Sequence, residues 1–148
     1  MLTIFIPALA AVLVAVLAQF LASRANRRAE ERTAWRSLQQ GVLIETQDEL
    51  VKLWGAGAMA LRGLADEARF TPIEESTARL TALWARMDDR NLAEAVSTWQ
   101  SDLGEALAEV VGKRTPHTAQ QITNRNKPFN EIMKRLGKAV IDCRPSSK

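Results

Sequence analysis

Residues 2–36 read LTIFIPALAAVLVAVLAQFLA and then SRANRRAEERTAWR. The first 21 of these residues carry no charge, and Thr3 and Gln19 are their only polar side chains. At about 1.5 Å rise per residue they span roughly 31 Å as a helix, which matches the hydrocarbon core of a bilayer. The stretch therefore predicts a transmembrane anchor at residues 1–22 and makes the lipid bilayer the first expected partner.

Charge next to the apolar run predicts its direction. No Lys or Arg precedes the run, whereas the basic juxtamembrane helix expected at residues 23–36 holds five arginines and two glutamates. Because positive residues flank the cytoplasmic end of a span, we expect the inner (plasma) membrane, with the N-terminus outside and the C-terminal domain in the cytoplasm. The topology-setting residues are Arg24, Arg27, Arg28, Arg32 and Arg36.

A cleaved signal peptide and a buried core helix are the alternatives to a retained anchor. The small residues from Ala18 to Ser23 suit a signal peptidase, but the uncharged N-terminus and the length of the apolar run depart from the usual signal peptide. A chain of this size hardly surrounds a helix that is apolar on every face, so a core helix fits less well.

Alanines recur along the anchor at alternating steps of three and four residues. Because small side chains let two helices approach closely in lipid, this spacing predicts a self-associating seam and a homo-oligomer. Its average period of 3.5 suits a left-handed crossing, although an Ala-rich composition also produces such a row by chance. The seam consists of Ala8, Ala11, Ala15, Ala18, Ala22, Ala25 and Ala29.

The net charge of +3 conceals a segregation along the chain: residues 1–36 carry +3, residues 37–112 carry −7 and residues 113–148 carry +7. Packing of the basic end against the acidic middle, within the domain or in a neighbouring copy, is the simpler interpretation, because it needs no ligand. Contact of Lys134, Arg135 and Lys138 with anionic lipid, at about 1 kcal/mol for each basic residue near the surface, is the alternative. Nucleic acid is not an expected partner, because no recognition motif or aromatic stacking platform accompanies the charge.

Apolar spacing predicts helices after the anchor, and no strand pattern competes with it. The first helix is expected to continue out of the membrane to about Trp54, to break at Gly55 and Gly57, and to be followed by a shorter helix. Further helices are expected after Thr71, as the N-cap before a proline at the first helical position, and from Asn91.

The polar residues between Gly112 and Pro128 predict an irregular connection, with Pro128 beginning the last helix. The fold class is therefore all-α: one N-terminal transmembrane helix continues into a four- or five-helix antiparallel bundle at residues 37–142, followed by a flexible tail at 143–148. The expected core positions include Leu43, Leu50, Ile73, Leu80, Leu83, Met87, Leu92, Val96, Leu103, Leu107, Val110, Phe129, Ile132, Leu136 and Val140. The same apolar pattern also contains Leu38, Val42, Leu53, Met59, Leu61, Leu64, Phe70 and Met133. Leu43 and Leu50 lie in phase with the alanine seam extended at 3.5 residues, so association along the helix is the alternative to core packing for them. Four tryptophans, Trp35, Trp54, Trp84 and Trp99, are expected to anchor the core, with Trp35 the doubtful one because it follows the arginines.

Few residue types that carry chemistry are present. Cys143 is the single cysteine, His117 is the single histidine and tyrosine is absent, which excludes an internal disulfide and a Cys-rich zinc site. We expect His117 on the surface, Cys143 as a small apolar residue or free thiol, and the acidic pairs on solvated faces. The pairs are Asp48-Glu49, Asp66-Glu67, Glu74-Glu75 and Asp88-Asp89. No catalytic, metal or cofactor site is predicted.

The sequence thus predicts a single-pass, membrane-anchored helical protein with a non-enzymatic role in protein interaction or as a scaffold for a partner of unknown identity. The alternative is a phage-type lysis or envelope factor with the helical domain outside the cytoplasm. That alternative resembles the small inner-membrane spanins of phages in layout alone, with one N-terminal span followed by helices, and the arginines after the span argue against it.

Overall fold

The computed structural model describes residues 5–64, 70–113 and 115–143, with side chains described from Ala18 onward. Four helices make up these residues: α1 (Phe5–Leu61), α2 (Phe70–Trp84), α3 (Arg90–Lys113) and α4 (Ala119–Asp142). No strand occurs in the described ranges. The all-α prediction is confirmed, and the described ranges contain four helices, the lower of the two numbers expected.

The contacts divide the chain into two units, Met1–Ser37 and Leu38–Lys148. In the first unit, all residues from Ala18 to Ser37 are exposed along α1. The second unit contains the end of α1 together with α2, α3 and α4. Helix α3 packs against both α2 and α4, and five residues join each of these pairs. Connections this short between packed helices make the neighbours antiparallel.

Helix α1 continues through Gly55 and Gly57, so the predicted break at Gly-Ala-Gly is wrong. A Cβ atom at position 57 would lie 3.1 Å from Cδ2 of Leu103 on α3. Gly57 therefore allows close packing of α1 against α3, and that packing offsets the cost of about 1 kcal/mol that glycine brings to a helix interior.

The end of α1 is set by Gly63, which has φ = +72°. The amide of Gly63 donates to the carbonyl of Ala60 at 2.9 Å, and the amide of Leu64 donates to that of Met59 at 3.1 Å. This pair of bonds is the Schellman arrangement that closes a helix at a left-handed glycine. A Cβ atom at Gly63 would also lie 2.9 Å from Cγ of Pro116, so the next connection packs directly against this turn.

Two helix starts differ slightly from the prediction. Helix α2 begins at Phe70, one residue before the expected cap at Thr71. Helix α3 begins at Arg90, and Oδ1 of Asp89 accepts a hydrogen bond from the amide of Leu92 at 3.0 Å. Asp89 is therefore the N-cap, because its side chain satisfies an amide of the first turn.

The start of α4 differs most, because the helix begins nine residues before Pro128. Thr118 and Gln121 form a capping box, in which the side chain of each accepts a hydrogen bond from the backbone of the other. Pro128 lies inside the helix and lacks an amide hydrogen, which usually disfavours that position. The capping box and the burial of Ile122 in the core stabilise the early start.

The expected core is confirmed at most positions of the apolar pattern, but Leu38, Met59 and Leu64 are exposed, and Phe70 and Met133 are half-buried. Leu43 and Leu50 belong to this core, so their place in the helical pattern reflects packing within the bundle. Trp99 is buried, Trp54 and Trp84 are half-buried, and Trp35 is exposed. Trp35 is therefore not a core anchor.

Among the described residues, no helix contains a stretch that is both long and apolar enough to cross a membrane. The predicted anchor at residues 1–22 falls largely on residues 1–17, which lie outside the described side chains. The tail residues 144–148 also lie outside the described ranges.

Candidate functional site

A cleft of about 350 Å³ opens where α1, α3 and α4 meet beside the connection between α3 and α4. Four of its lining residues are apolar and six are polar, and we call the two groups its apolar wall and its polar wall. The lining residues are Trp54, Trp99, Leu103 and Pro128 on the apolar side, and Asp102, Glu109, His117, Gln121, Asn124 and Arg125 on the polar side.

Three aromatic rings support the apolar wall. The rings of Trp54 and Phe129 are stacked, with centroids 5.6 Å apart and an angle of 24°. Trp99 lies 5.5 Å from Phe129 and meets Trp54 edge to face at 6.1 Å. Each ring contacts the other two, so the three rings form one aromatic cluster, and the half-buried ring of Trp54 lines the cleft.

His117 is the most buried polar group of the cleft, and its predicted surface position is wrong. Its side chain is only 8% exposed, and its backbone amide donates to the carbonyl of Leu61 at 2.8 Å. Its Nε2 lies 4.0 Å from Oε2 of Glu109, while Nδ1 is buried without a hydrogen-bond partner among the described residues. The hydrogen bond to Leu61 and the close approach of Pro116 to Gly63 hold this connection against the end of α1.

The ionic groups around the cleft are already engaged. Nζ of Lys113 lies 2.7 Å from Oε1 of Glu109, and this hydrogen bond holds the pKa of Glu109 below its ordinary value. Arg125 donates from Nη1 to the backbone carbonyl of Asp102 at 3.1 Å. In the polar wall, Glu109 and Arg125 thus already have partners, whereas Nδ1 of His117 has none among the described residues.

A second surface lies on α1 between Arg24 and Arg36. Arg24, Arg28, Arg32 and Arg36 follow one another at steps of four residues, which places them along one ridge of the helix. We call these four residues the arginine ridge. Trp35 is 51% exposed in a hollow that three of these arginines also line. The ridge thus combines positive charge with an exposed aromatic ring.

The other predicted site residues do not converge on the cleft. Ala18, Ala22, Ala25 and Ala29 of the seam are exposed, and Ala8, Ala11 and Ala15 lie outside the described side chains. On α4, Lys134 and Lys138 are exposed and Arg135 is half-buried. Across the described ranges, no group of three or more potential metal-ligating side chains comes together.

One acidic residue departs from the expected solvated position. Glu49 is buried, although Asp48, Glu74, Glu75, Asp88 and Asp89 are exposed as expected, and Asp66 and Glu67 lie outside the described residues. Its Oε1 lies 2.8 Å from Nζ of Lys52 and 3.7 Å from Nη1 of Arg79. The hydrogen bond from Lys52 lowers the pKa of Glu49, against the opposing effect of burial. Glu49 thus joins α1 to α2.

The free thiol of Cys143 is half-buried and packs against the core at the end of α4. This position agrees with the small apolar role expected for it.

No family model matches the chain, and neither the curated proteins nor the solved structures contain a significant match to it.

Proposed function

We propose that the chain is a single-pass, membrane-anchored helical protein whose bundle has a non-enzymatic role in protein association on the cytoplasmic side. The observation that carries this proposal is the uncharged run of residues 2–22 followed at once by five arginines. An apolar run of that length provides the anchor, and the arginines favour retention of the following residues in the cytoplasm.

The exposed arginine ridge favours a protein partner in addition to the lipid bilayer. With the anchor ending at Ala22 and a rise of about 1.5 Å per residue, Arg24 lies about 3 Å past the hydrocarbon and Arg36 about 21 Å past it. The head-group layer is about 5 to 7 Å thick on each side. Arg24 and Arg27 therefore reach head groups, whereas Arg32, Trp35 and Arg36 extend beyond them and suit an acidic protein partner.

Self-association through the alanine seam is a second part of the proposal. Changing Ala11 and Ala15 together to Leu places bulky side chains in the seam, and we expect a reduced signal in a membrane two-hybrid assay. Ala10→Leu is the matched control, because Ala10 lies off the seam. An unchanged signal in the double variant would contradict the seam.

Contact of Lys134, Arg135 and Lys138 with anionic lipid is the third part. We expect vesicles with anionic lipid to retain more of the bundle domain without its anchor, residues 37–142, in flotation than neutral vesicles, by an electrostatic contribution that salt weakens. Changing all three residues to Gln should remove that difference. Equal flotation of this variant and the unchanged domain would contradict the contact.

Topology is the decisive test of the proposed function. Alkaline phosphatase and green fluorescent protein are fused separately to the C-terminus in a bacterial host. Fluorescence without phosphatase activity is expected. Phosphatase activity without fluorescence would overturn the cytoplasmic placement and support the envelope or lysis alternative.

The arginines provide an internal control for this experiment. Replacing Arg24, Arg27 and Arg28 with Gln should shift part of the population to the opposite orientation, because charge close to the span sets topology. Replacing Lys134, Arg135 and Lys138 with Gln removes the same amount of charge far from the span and should leave the orientation unchanged.

A further inference from the structure

The cleft beside His117 has the features of a ligand site that protein association does not require. Its volume of about 350 Å³ lies at the lower end of the range for small-molecule pockets, about 300 to 1,000 Å³. Such a volume accommodates one small ring system rather than a long chain. The site is independent of the membrane topology proposed above.

The apolar wall selects a flat ligand. Trp54 is held in place by Phe129 and Trp99, and Pro128 also lines the cleft. A fixed ring with one face toward a cleft favours a second flat ring in a stacked or edge-to-face arrangement.

The charges favour an uncharged ligand. Glu109 is already paired with Lys113, and Asp102 and Arg125 contribute one charge of each sign. Lys113 does not line the cleft but pairs with Glu109, and with it the four charges sum to zero, so the net charge at and beside the cleft favours neither a cation nor an anion.

His117 selects a hydrogen-bond donor. Because the carboxylate of Glu109 faces Nε2, the tautomer with hydrogen on Nε2 is favoured, and Nδ1 is left as an acceptor. That nitrogen has no partner in the described part of the chain. His117 lines the cleft, but its Nδ1 is buried, so binding of a donor requires the ring to rotate about the Cβ–Cγ bond. The rotation gives up only the 4.0 Å contact of Nε2 with Glu109, and a neutral imidazole can still accept at Nδ1.

From these features we infer that the cleft binds a small, uncharged, planar aromatic molecule that carries an N–H donor. The ring packs against Trp54 and Pro128, and its N–H donates to His117. Indole is the simplest probe of this chemistry, and 1-methylindole is its matched control because methylation removes the donor and keeps the ring.

The experiment measures both probes against the full chain in nanodiscs by ligand-observed NMR. We expect saturable binding of indole at millimolar concentration or below, and binding of 1-methylindole weaker by about fivefold, as the loss of one hydrogen bond implies. Equal affinity for the two probes would overturn the role of the donor, and the absence of saturable binding would overturn the site.

Variants locate the binding and separate it from partition into lipid. Trp54→Ala should abolish saturable binding of both probes, whereas Trp84→Phe, at the half-buried tryptophan outside the cleft, should bind as the unchanged chain does. His117→Phe keeps a ring and removes the acceptor, so it should bind indole and 1-methylindole equally. Retained selectivity in His117→Phe would overturn the assignment of His117. Because the probe pair is compared first in the unchanged chain, a variant that fails to fold leaves that test intact.

Discussion

Residues 18–37 and residues 39–61 belong to the same helix, α1, but they differ in burial. All residues from Ala18 to Ser37 are exposed, whereas ten residues between Gln39 and Leu61 are buried. The first region carries the arginine ridge, and the second carries Leu50, Leu53 and the cleft residue Trp54. Each region contains one tryptophan, Trp35 in the first and Trp54 in the second, so the type of residue does not decide whether it is buried. Burial depends on which other residues pack against that part of the helix.

The largest effect that tests this comparison is the removal of a leucine side chain. Leu50 is fully buried and Leu38 is 49% exposed. Leu50→Ala should lower the free energy of unfolding by about 2 to 5 kcal/mol, because it leaves a cavity in the core. Leu38→Ala should change it by less than about 0.5 kcal/mol. Thermal and denaturant unfolding followed by circular dichroism measures both. Similar losses would contradict the difference between the two regions.

The core of the bundle was accessible from the sequence because periodicity reports burial. On α3, the apolar residues from Leu92 to Val110 recur at steps of three and four, and they are buried. When a helix has a single apolar stripe, that stripe faces the core, so the buried positions can be identified from the sequence of the helix alone. The same reasoning placed Phe129 and Ile132 of α4 correctly.

The ends of the helices are harder to predict from the sequence, because the effect of a glycine or a proline depends on what packs against it. Gly55 and Gly57 were expected to break α1, but the turn occurs at Gly63. The start of α4 does have a local signal, Thr118 followed three residues later by Gln121, but it lies among other polar residues that indicate a loop before Pro128. The cleft had no such signal. His117 is positioned by contacts between residues distant in the sequence, such as its backbone hydrogen bond to Leu61 and the approach of Pro116 to Gly63, 53 positions away.

Two glycine substitutions test which glycine ends α1, and their expected effect on the free energy of unfolding is smaller. Gly63→Ala should lower the free energy of unfolding by about 1 to 2 kcal/mol, because alanine is strained at positive φ, and the contact with Pro116 adds to the cost. Gly55→Ala is the control, since a Cβ there meets nothing within 4 Å. It should raise stability by about 0.5 to 1 kcal/mol, because alanine favours the helix. If denaturant unfolding shows the same sign for both variants, the assignment of Gly63 as the helix terminator is wrong.

The buried carboxylate of Glu49 gives a pH-dependent prediction. Its pKa in the folded chain is below the ordinary value of 4.5, so its contribution to stability is present above that pH and is lost as pH falls through the folded pKa. Glu49→Gln should therefore lower the free energy of unfolding by about 1 kcal/mol at pH 7, and the difference should shrink below pH 4.5. Glu105→Gln, at an exposed residue, should change stability by less than about 0.5 kcal/mol at either pH. A loss for Glu49→Gln that stays constant down to pH 3 would contradict the ionic origin.

The smallest change in the free energy of unfolding is expected for Trp35→Ala, a substitution that tests association with a partner. Trp35→Ala removes a large side chain that is 51% exposed, so the free energy of unfolding should change by less than about 0.5 kcal/mol. If the arginine ridge docks an acidic partner, however, the exposed tryptophan contributes much of the contact, as buried aromatic residues do at interfaces. A photocrosslinking residue at position 34 should then give a crosslinked partner band in cells that Trp35→Ala weakens and that Arg32→Gln with Arg36→Gln weakens further. The same crosslinker in the Glu105→Gln variant should give the full band. If Trp35→Ala destabilises the bundle and leaves the band unchanged, Trp35 has a structural role. The assignment of residues 18–37 to association and of residues 39–61 to packing would then be wrong.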